Sequence, residues 1–183
     1  MSDRGWIAEE DERAMGITIR RERAEDHEAI RRLTKTAFEA TEESDGTEAD
    51  IVDALREDGA LELSLVAVDD AGELLGHIAF SRVTIDSEEP HWFGLGPISV
   101  WPDHQGEGIG SRLVNEGLRE IRTLGANGCV LVGDPNFYSR FSFESDTALT
   151  YRGLPTNYIQ RIVFHGSAPQ GEITYHSAFE QAS

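Results

Sequence analysis

A glycine-rich segment, GLGPISVWPDHQGEGIGSRL at residues 94–113, constrains the fold of this chain more than any other part of its sequence. It combines a short apolar strand at 97–100, a polar loop, a glycine-rich turn and the start of an amphipathic helix. Backbone N–H groups at a helix N-terminus lack intrahelical partners, and the helix dipole is positive there. A loop that brings glycines to such a terminus binds anions well. The segment therefore predicts a site for a phosphate-bearing ligand at residues 105–111.

Two common phosphate-binding loops fit this segment poorly. A Walker-type loop requires Gly-Lys-Ser/Thr, whereas Ser111 follows Gly110 here without a lysine. A dinucleotide-binding fold requires G-x-G-x-x-G in its first strand–turn–helix unit. Here Gly106, Gly108 and Gly110 lie two residues apart, and several predicted strands precede them. Nucleoside triphosphate hydrolysis and dinucleotide binding are therefore disfavoured.

Periodic apolar residues divide the rest of the chain into strands and helices. Alternation, or a short continuous apolar run, predicts strands at residues 17–20, 61–68, 73–85, 91–100, 129–132, 158–164 and 173–175. Helical spacing predicts helices at 24–38, between Thr47 and Gly59, and at 108–124. The strand at 129–132 follows a strand–helix unit, so we expect it to lie parallel to the strand at 91–100. These elements predict an α/β (α+β) fold with a mixed, mostly antiparallel sheet flanked by helices.

Three short sequences make local predictions. Thr47 and Asp50 have the spacing of a capping box. Gly117 lies inside the helix at 108–124, where glycine costs about 1 kcal/mol relative to alanine, so it predicts close contact with the sheet. The sequence Gly-Asp-Pro at 133–135 predicts a turn, an N-cap and the first residue of a short helix.

The charge balance limits the partners of the chain. It has 34 acidic and 16 basic residues and a formal net charge of −18, which argues against nucleic acids and anionic membrane surfaces. Lys35 is the only lysine and the other basic residues are arginines, which fits both adaptation to high salt and a GC-rich genome. A cationic amine substrate would also be attracted by this charge, but a solvated acidic surface is the simpler interpretation.

Other features point to a cytoplasmic protein without a structural metal or disulfide. Cys129 is the only cysteine and lies in the apolar sequence CVLV, which favours a buried role. No apolar run approaches the roughly 20 residues of a membrane helix, and no His/Cys/Asp cluster has metal-ligand spacing. Residues 1–15 lack a signal-peptide apolar region and predict a flexible tail. We expect a single domain at 16–183.

Two motifs resemble those of the GNAT superfamily of N-acetyltransferases. Gln105-Gly106-Glu107-Gly108-Ile109-Gly110 matches the superfamily pattern Q/R-x-x-G-x-G/A, between a strand and a helix. GDPNFYSRFSF at 133–143 is similar to a second conserved motif of the superfamily, F-Y-x-x-x-G-F. The sequence around this motif resembles that of the bacterial YhbS-like branch. The chain departs from that pattern at Ser142, where the family usually has glycine. The resemblance extends over residues 17–175 and implies a GNAT-like acyl-CoA N-acyltransferase fold.

The resemblance implies acetyl-CoA as cosubstrate and assigns residues to it. Backbone groups of Ile98, Ser99 and Val100 would pair with the pantetheine arm, beside a gap between this strand and the one at 129–132. Asn136 matches a position near that arm, and Tyr138 matches the tyrosine proposed to protonate the departing thiolate. The pyrophosphate would be held by backbone N–H groups of Gln105, Gly106, Glu107, Gly108, Ile109, Gly110 and Ser111.

The reaction implied by the resemblance also requires a neutral amine, and hence a general base or a water chain. His77, in the sequence GHIAF, is one candidate, although a hydrogen-bonded core histidine is an equally good interpretation. Glu43 is the other candidate, because the family often places acceptor-specificity residues in the loop between its first two helices. The expected acceptor is a small-molecule amine or a peptide amine, and a homodimer is common in the family. The alternative function is a non-catalytic acyl-CoA-binding sensor.

Overall fold

The computed structural model describes residues 16–42 and 44–181. Its strands are β1 (Ile17–Arg21), β2 (Leu63–Asp69), β3 (Leu74–Ile85), β4 (Glu88–Val100), β5 (Gly128–Val132), β6 (Glu144–Ser145), β7 (Leu149–Thr150), β8 (Ile159–Val163) and β9 (Gly171–Thr174). Its α-helices are α1 (His27–Glu39), α2 (Glu48–Glu57), α3 (Ile109–Thr123) and the single turn α4 (Pro135–Tyr138). The predicted tail at 1–15 and the candidate base Glu43 lie outside the described residues.

The strands form one sheet in the order β1-β2-β3-β4-β5-β8-β6, and β9 pairs with the outer part of β3 and with β7. β4 and β5 are parallel because α3 connects them by a crossover, and β7 and β9 are also parallel. The other pairings are antiparallel. The predicted mixed, mostly antiparallel sheet flanked by helices is confirmed.

Each face of the sheet is covered by helices or by the C-terminal segment. α3 and α4 cover one face, where Leu113 and Tyr138 belong to the same apolar cluster as Phe80. On the other face, α1 and α2 pack through Ile30 and Val52. The C-terminal segment covers the rest of that face through an apolar cluster that comprises Val83, Ile85, Trp92, Val130, Leu149, Ile159, Ile173 and Tyr175.

The sheet opens between β4 and β5. Their pairing consists of Trp92 with Gly128, Phe93 with Cys129 and Gly94 with Val130, and within the described residues no strand pairs with β4 on that side beyond Gly94. On the opposite side, a bulge shifts the β3–β4 register between the Phe80–Leu95 and Ile78–Ile98 pairs, so three steps on β4 face two on β3. A bulge bends its strand. The result is an opening whose β4 edge, at 97–100, is unpaired.

Most local predictions are confirmed, and one is wrong. A Cβ at Gly117 would lie 2.6 Å from Cζ of Phe80, so the glycine does permit close contact between α3 and the sheet. Thr47 precedes α2 but makes no capping hydrogen bond, because its hydroxyl donates to Asp45 instead. Asp50 accepts a hydrogen bond from Arg31 on α1 and so does not complete a capping box.

Candidate active site

A cleft of about 420 Å³ lies between the end of β4, the glycine-rich turn and α4. The structure brings together all the residues predicted to bind the cofactor except Glu107 and Asn136, which do not line the cleft. His104, Phe137 and Arg140 line it as well, although the sequence analysis did not assign them. The complete lining is Ile98, Ser99, Val100, His104, Gln105, Gly106, Gly108, Ile109, Gly110, Ser111, Phe137 and Arg140.

The glycine-rich turn depends on backbone conformations that favour glycine. Gly106 and Gly108 have φ angles of +83° and +85°, and no atom lies within 4 Å of where their Cβ atoms would be. Other residues pay roughly 1–2 kcal/mol for this left-handed region, so conformation rather than space explains the glycines. Gly108 is the N-cap of α3 and supplies no side-chain cap. The first-turn N–H groups of α3 therefore face the cleft without intrahelical partners.

Arg140 places a positive charge at the cleft, although the molecule as a whole is acidic. Its guanidinium lies 5.2 Å from the ring centroid of Phe137, a cation–π distance. His104, also in the lining, lies 3.0 Å through Nδ1 from the carboxylate of Glu107, which holds Glu107 at the turn but outside the cleft. A phosphate group in this cleft would therefore meet backbone N–H groups and one guanidinium. The only sequence feature that could have indicated Arg140 as a cleft residue is its position within the motif at 133–143.

The α4 turn positions Tyr138 as the Gly-Asp-Pro sequence predicts. Asp134 is the N-cap, and its side chain accepts a hydrogen bond from the backbone N–H of Asn136 at 2.9 Å. The Tyr138 ring packs edge-on against Phe137 and Phe143, with centroids 4.9 and 6.0 Å away. Asn136 itself is exposed beside the cleft rather than in it.

Tyr138 is a neutral phenol behind the cleft. It is 9% exposed, does not line the cleft and has no hydrogen bond to a described residue. Burial raises the pKa of Tyr138 to about 12, and the neighbouring Cys129 thiol adds to the effect. The phenol therefore carries its proton at neutral pH, as a proton donor must. Ser142, at the end of the following 3-10 turn, adopts the left-handed φ of +73°, which explains why glycine is usual at this position.

His77 lies in the core and not in the cleft. It is fully buried, and Nε2 lies 2.8 Å from Oγ of Ser64. The Ser64 hydroxyl donates to Glu22, so Nε2–H of His77 donates to Ser64, and Nδ1 is left as an unpaired acceptor. Burial lowers the pKa of His77 to about 4, against the opposing effect of Glu22. Of the two interpretations of His77, the structure matches the hydrogen-bonded core histidine.

The described residues contain no group of three or more His, Cys, Asp or Glu side chains suited to a metal ion. Cys129 is fully buried on β5, and burial raises the pKa of its thiol well above the ordinary value. A thiolate nucleophile is therefore disfavoured here. Within the same described part of the chain, none of the helices has the length and apolar character needed to cross a bilayer.

Comparison with known proteins identifies relatives over most of the chain. Residues 18–145 match the family described as "Acetyltransferase (GNAT) domain". The "Uncharacterized N-acetyltransferase YhbS" of Escherichia coli (strain K12) is 41% identical over 128 residues, which span 70% of this chain and 74% of that protein.

Two solved structures have the same fold. A GNAT family acetyltransferase from Brucella melitensis, in complex with acetyl-CoA, has a TM-score of 0.80 and 48% identity, covering 89% of this chain and 97% of its own. YhbS from Escherichia coli, in complex with CoA, has a TM-score of 0.81 and 35% identity, covering 90% of this chain and 92% of its own.

Proposed function

The chain belongs to the GNAT family of acetyltransferases, and from this membership we propose that it transfers the acetyl group of acetyl-CoA to an amine by direct attack on the thioester. The observation that carries the proposal is the opening between β4 and β5, which adjoins an anion-binding turn and a buried phenol. An acyl-CoA-binding acyltransferase is the coarser statement that family membership already supports.

The cleft fits a CoA thioester on three observations. The edge of β4 at 97–100 that faces β5 has no strand partner among the described residues, so its backbone groups suit the amides of the pantetheine arm. The N–H groups at the start of α3 suit the pyrophosphate. Arg140 supplies a charge for a further phosphate, in a molecule whose net charge of −18 gives no general attraction to anions. When bound there, acetyl-CoA supplies an activated acyl group.

Tyr138 is the proposed proton donor. As the amine nitrogen bonds to the carbonyl carbon and the C–S bond breaks, the sulfur takes a proton and the nitrogen loses one. A neutral phenol beside the opening supplies the proton for sulfur, a contribution of typically 10²- to 10⁴-fold. We do not assign the role of amine-proton acceptor to His77, because His77 is enclosed in the core. Glu43 is retained as a candidate for that role.

A thiol-release assay tests this function. Purified protein is mixed with acetyl-CoA and a panel of amines, comprising putrescine, tyramine, the free amino acids and a short peptide with a free N-terminus, at both low and molar salt. We expect CoA release that depends on one class of amine. Tight CoA binding without amine-dependent release would favour the sensor instead, and no CoA binding by the folded protein would exclude both functions.

The substitution Tyr138→Phe tests whether Tyr138 acts as the proton donor rather than as part of the CoA-binding site. It is expected to lower kcat by about 10²- to 10⁴-fold and to leave the calorimetric Kd for CoA unchanged, since Tyr138 does not line the cleft. Tyr158→Phe is the matched control, because this exposed tyrosine lies immediately before β8 and does not line the cleft. Equal kcat values for Tyr138→Phe and the wild type would remove Tyr138 from the mechanism.

Three finer expectations belong to the same proposal. The acceptor is a small-molecule or peptide amine, the enzyme acts in the cytoplasm, and it forms a homodimer. Light scattering of the purified protein tests the last of these, and a monomer at micromolar concentration would contradict it.

A further inference from the structure

The two faces of the sheet present different residues to the opening between β4 and β5. Phe93 and Cys129 are paired on the face covered by α3 and α4, and they share the apolar cluster of Tyr138. Trp92 and Val130 belong to the cluster on the opposite face, together with Tyr175. Two tyrosines therefore approach the same part of the sheet from opposite sides.

Tyr175 reaches across the sheet to the last β4–β5 pair. It follows β9, whose Thr174 pairs with Thr84 on the edge of β3 that faces away from β4. Its ring nevertheless lies over Gly94, where a Cβ would overlap the ring at Cε1 and would lie 2.9 Å from Cγ1 of Val83. The ring thus crosses β3 and contacts β4 at Gly94, which pairs with Val130 at the end of the β4–β5 ladder.

The ring of Tyr175 is held in place by neighbouring rings, while its hydroxyl has no hydrogen-bond partner in the part of the chain that the structure describes. Tyr151 and Phe179 pack against the ring with centroids 5.2 and 4.8 Å away, and the residue is 8% exposed. No hydrogen bond joins its hydroxyl to a described residue. Burial raises the pKa of Tyr175 well above its ordinary value, and the groups of Cys129, Tyr151 and Tyr138 add to this effect. The phenol is thus neutral, and no described residue uses its hydrogen-bonding capacity.

The two substrates must meet in the opening at the same time. The cofactor cleft occupies the side of β4 that adjoins α3 and α4, since Ile109, Phe137 and Arg140 line it. An amine that attacks the thioester directly must then approach from the other face, where Tyr175 lies. A neutral phenol oxygen accepts a hydrogen bond from an amine N–H, which leaves the nitrogen lone pair free to attack.

We propose that Tyr175 is an acceptor-binding residue, whose phenol oxygen accepts a hydrogen bond from the primary amine at the base of the opening and orients its lone pair toward the thioester. This inference rests on the proposed function. It gives the C-terminal segment a part in selecting the acceptor. This segment follows residues 18–145, the region that matches the family. The acceptor it selects is an unhindered amine that retains an N–H for the phenol while it attacks.

The test is Tyr175→Phe, assayed with the panel amine that gives the highest kcat/KM. Loss of one hydrogen bond is worth about tenfold, so we expect the KM of the amine to rise about tenfold. The Kd for CoA is expected to stay unchanged. The melting temperature is also expected to stay unchanged, because the hydroxyl bonds to none of the residues at 16–42 and 44–181.

Tyr151→Phe is the matched control, since it removes the same group from the same aromatic cluster. Its KM for the amine is expected to equal that of the wild type. Equal amine KM values for Tyr175→Phe and the wild type, with turnover intact, would overturn the inference and leave the proposed function standing. A lower melting temperature with unchanged KM would also overturn it, because Tyr175 would then serve only the core. Absence of turnover in the wild type would overturn the function and the inference together.

Discussion

The buried His77 connects three parts of the chain through one polar network. Its imidazole bonds to Ser64 on β2, Ser64 bonds to Glu22, and Glu22 pairs with Arg56 on α2 at 2.9 Å. Because Nδ1 has no hydrogen-bond partner among the described residues, protonation would bury a charged ring with an unsatisfied N–H, a cost that the carboxylate of Glu22 offsets only in part. The network is therefore stable only while the imidazole is neutral, and His77 makes stability depend on pH.

We expect the free energy of unfolding to fall between pH 6.5 and 5. The pKa of His77 is about 4 in the folded protein and 6.5 in the unfolded chain, so the unfolded chain binds more protons in that interval. Stability is then fully present above pH 6.5 and is lost as the pH falls, by up to about 1.4 kcal/mol per pH unit. The lowered pKa of Glu22 acts in the same direction at lower pH.

Urea unfolding at pH 7, 6 and 5 measures this dependence, and His77→Gln isolates its source. The glutamine amide can still donate to Ser64 but does not titrate, so its pH slope between 7 and 5 is expected to be flatter than that of the wild type. Identical slopes would show that His77 is not responsible.

At the residue scale, the sequence predicts neighbours along the chain better than neighbours in space. The cleft residues from Ile98 to Ser111 follow one another in sequence, so one motif was enough to find them. Arg140 and Tyr175 reach the site only through folding, Tyr175 by a strand pairing that joins residues 84 and 174. Strand alternation likewise gives no information about which group on β2 would face His77.

At the scale of elements, the glycine-rich turn is the part of the site most open to a backbone test. Gly108 has a φ of +85° and open space around its Cβ position. Gly72, in the β2–β3 hairpin, has a φ of +82° and equally open space. The two glycines carry the same conformational demand, but only Gly108 lines the cleft.

Gly108→Ala is expected to weaken CoA binding about tenfold, because alanine disfavours the conformation that presents the first N–H groups of α3. Gly72→Ala is expected to leave the Kd for CoA unchanged. Both variants are expected to lose roughly 1–2 kcal/mol of stability. Calorimetry measures the affinity and urea unfolding the stability. An equal loss of affinity in both variants would attribute the effect to general destabilisation.

Long, strongly periodic elements were predictable from the sequence, and short ones were not. Alternation identified β2, β3 and β4, and the strand–helix–strand order predicted that β5 lies parallel to β4. The two-residue strands β6 and β7 escaped prediction because two residues carry no period. Thr47 shows how local preference is overridden, since Asp45 and Arg31 take the groups that a capping box would use.

At the scale of the whole molecule, repulsion from the net charge and attraction within ion pairs have opposite effects on the stability of the fold. The charge of −18 favours expansion through self-repulsion. Most ion pairs among the described residues have at least one exposed side chain, such as Arg31 with Asp50 and Arg119 with Glu116, and exposed pairs contribute little. Repulsion between the excess carboxylates is therefore expected to dominate the response to salt.

We expect the melting temperature to rise as NaCl increases from 0.02 to 0.3 M, an interval in which the Debye length falls from about 20 Å to below 10 Å. Over this interval, salt screens the long-range repulsion between carboxylates. The concentrations stay below those at which ion-specific effects of concentrated salt contribute. Calorimetric scans at constant pH measure the change, and sucrose at matched osmolality is the control. A melting temperature that falls with NaCl would show that ion pairs outweigh repulsion.

The opening between β4 and β5 also bears on self-association. An unpaired strand edge is a template on which a strand from another molecule can add. This edge is flanked on one face by α1, where Thr34 Oγ1 lies 3.3 Å from Oγ of Ser99, and on the other by Phe137. An invading polypeptide would direct alternate side chains at both flanks, whereas a pantetheine arm offers similar amides with little lateral bulk. We therefore expect α1 and α4 to hinder the addition of a foreign strand at this edge.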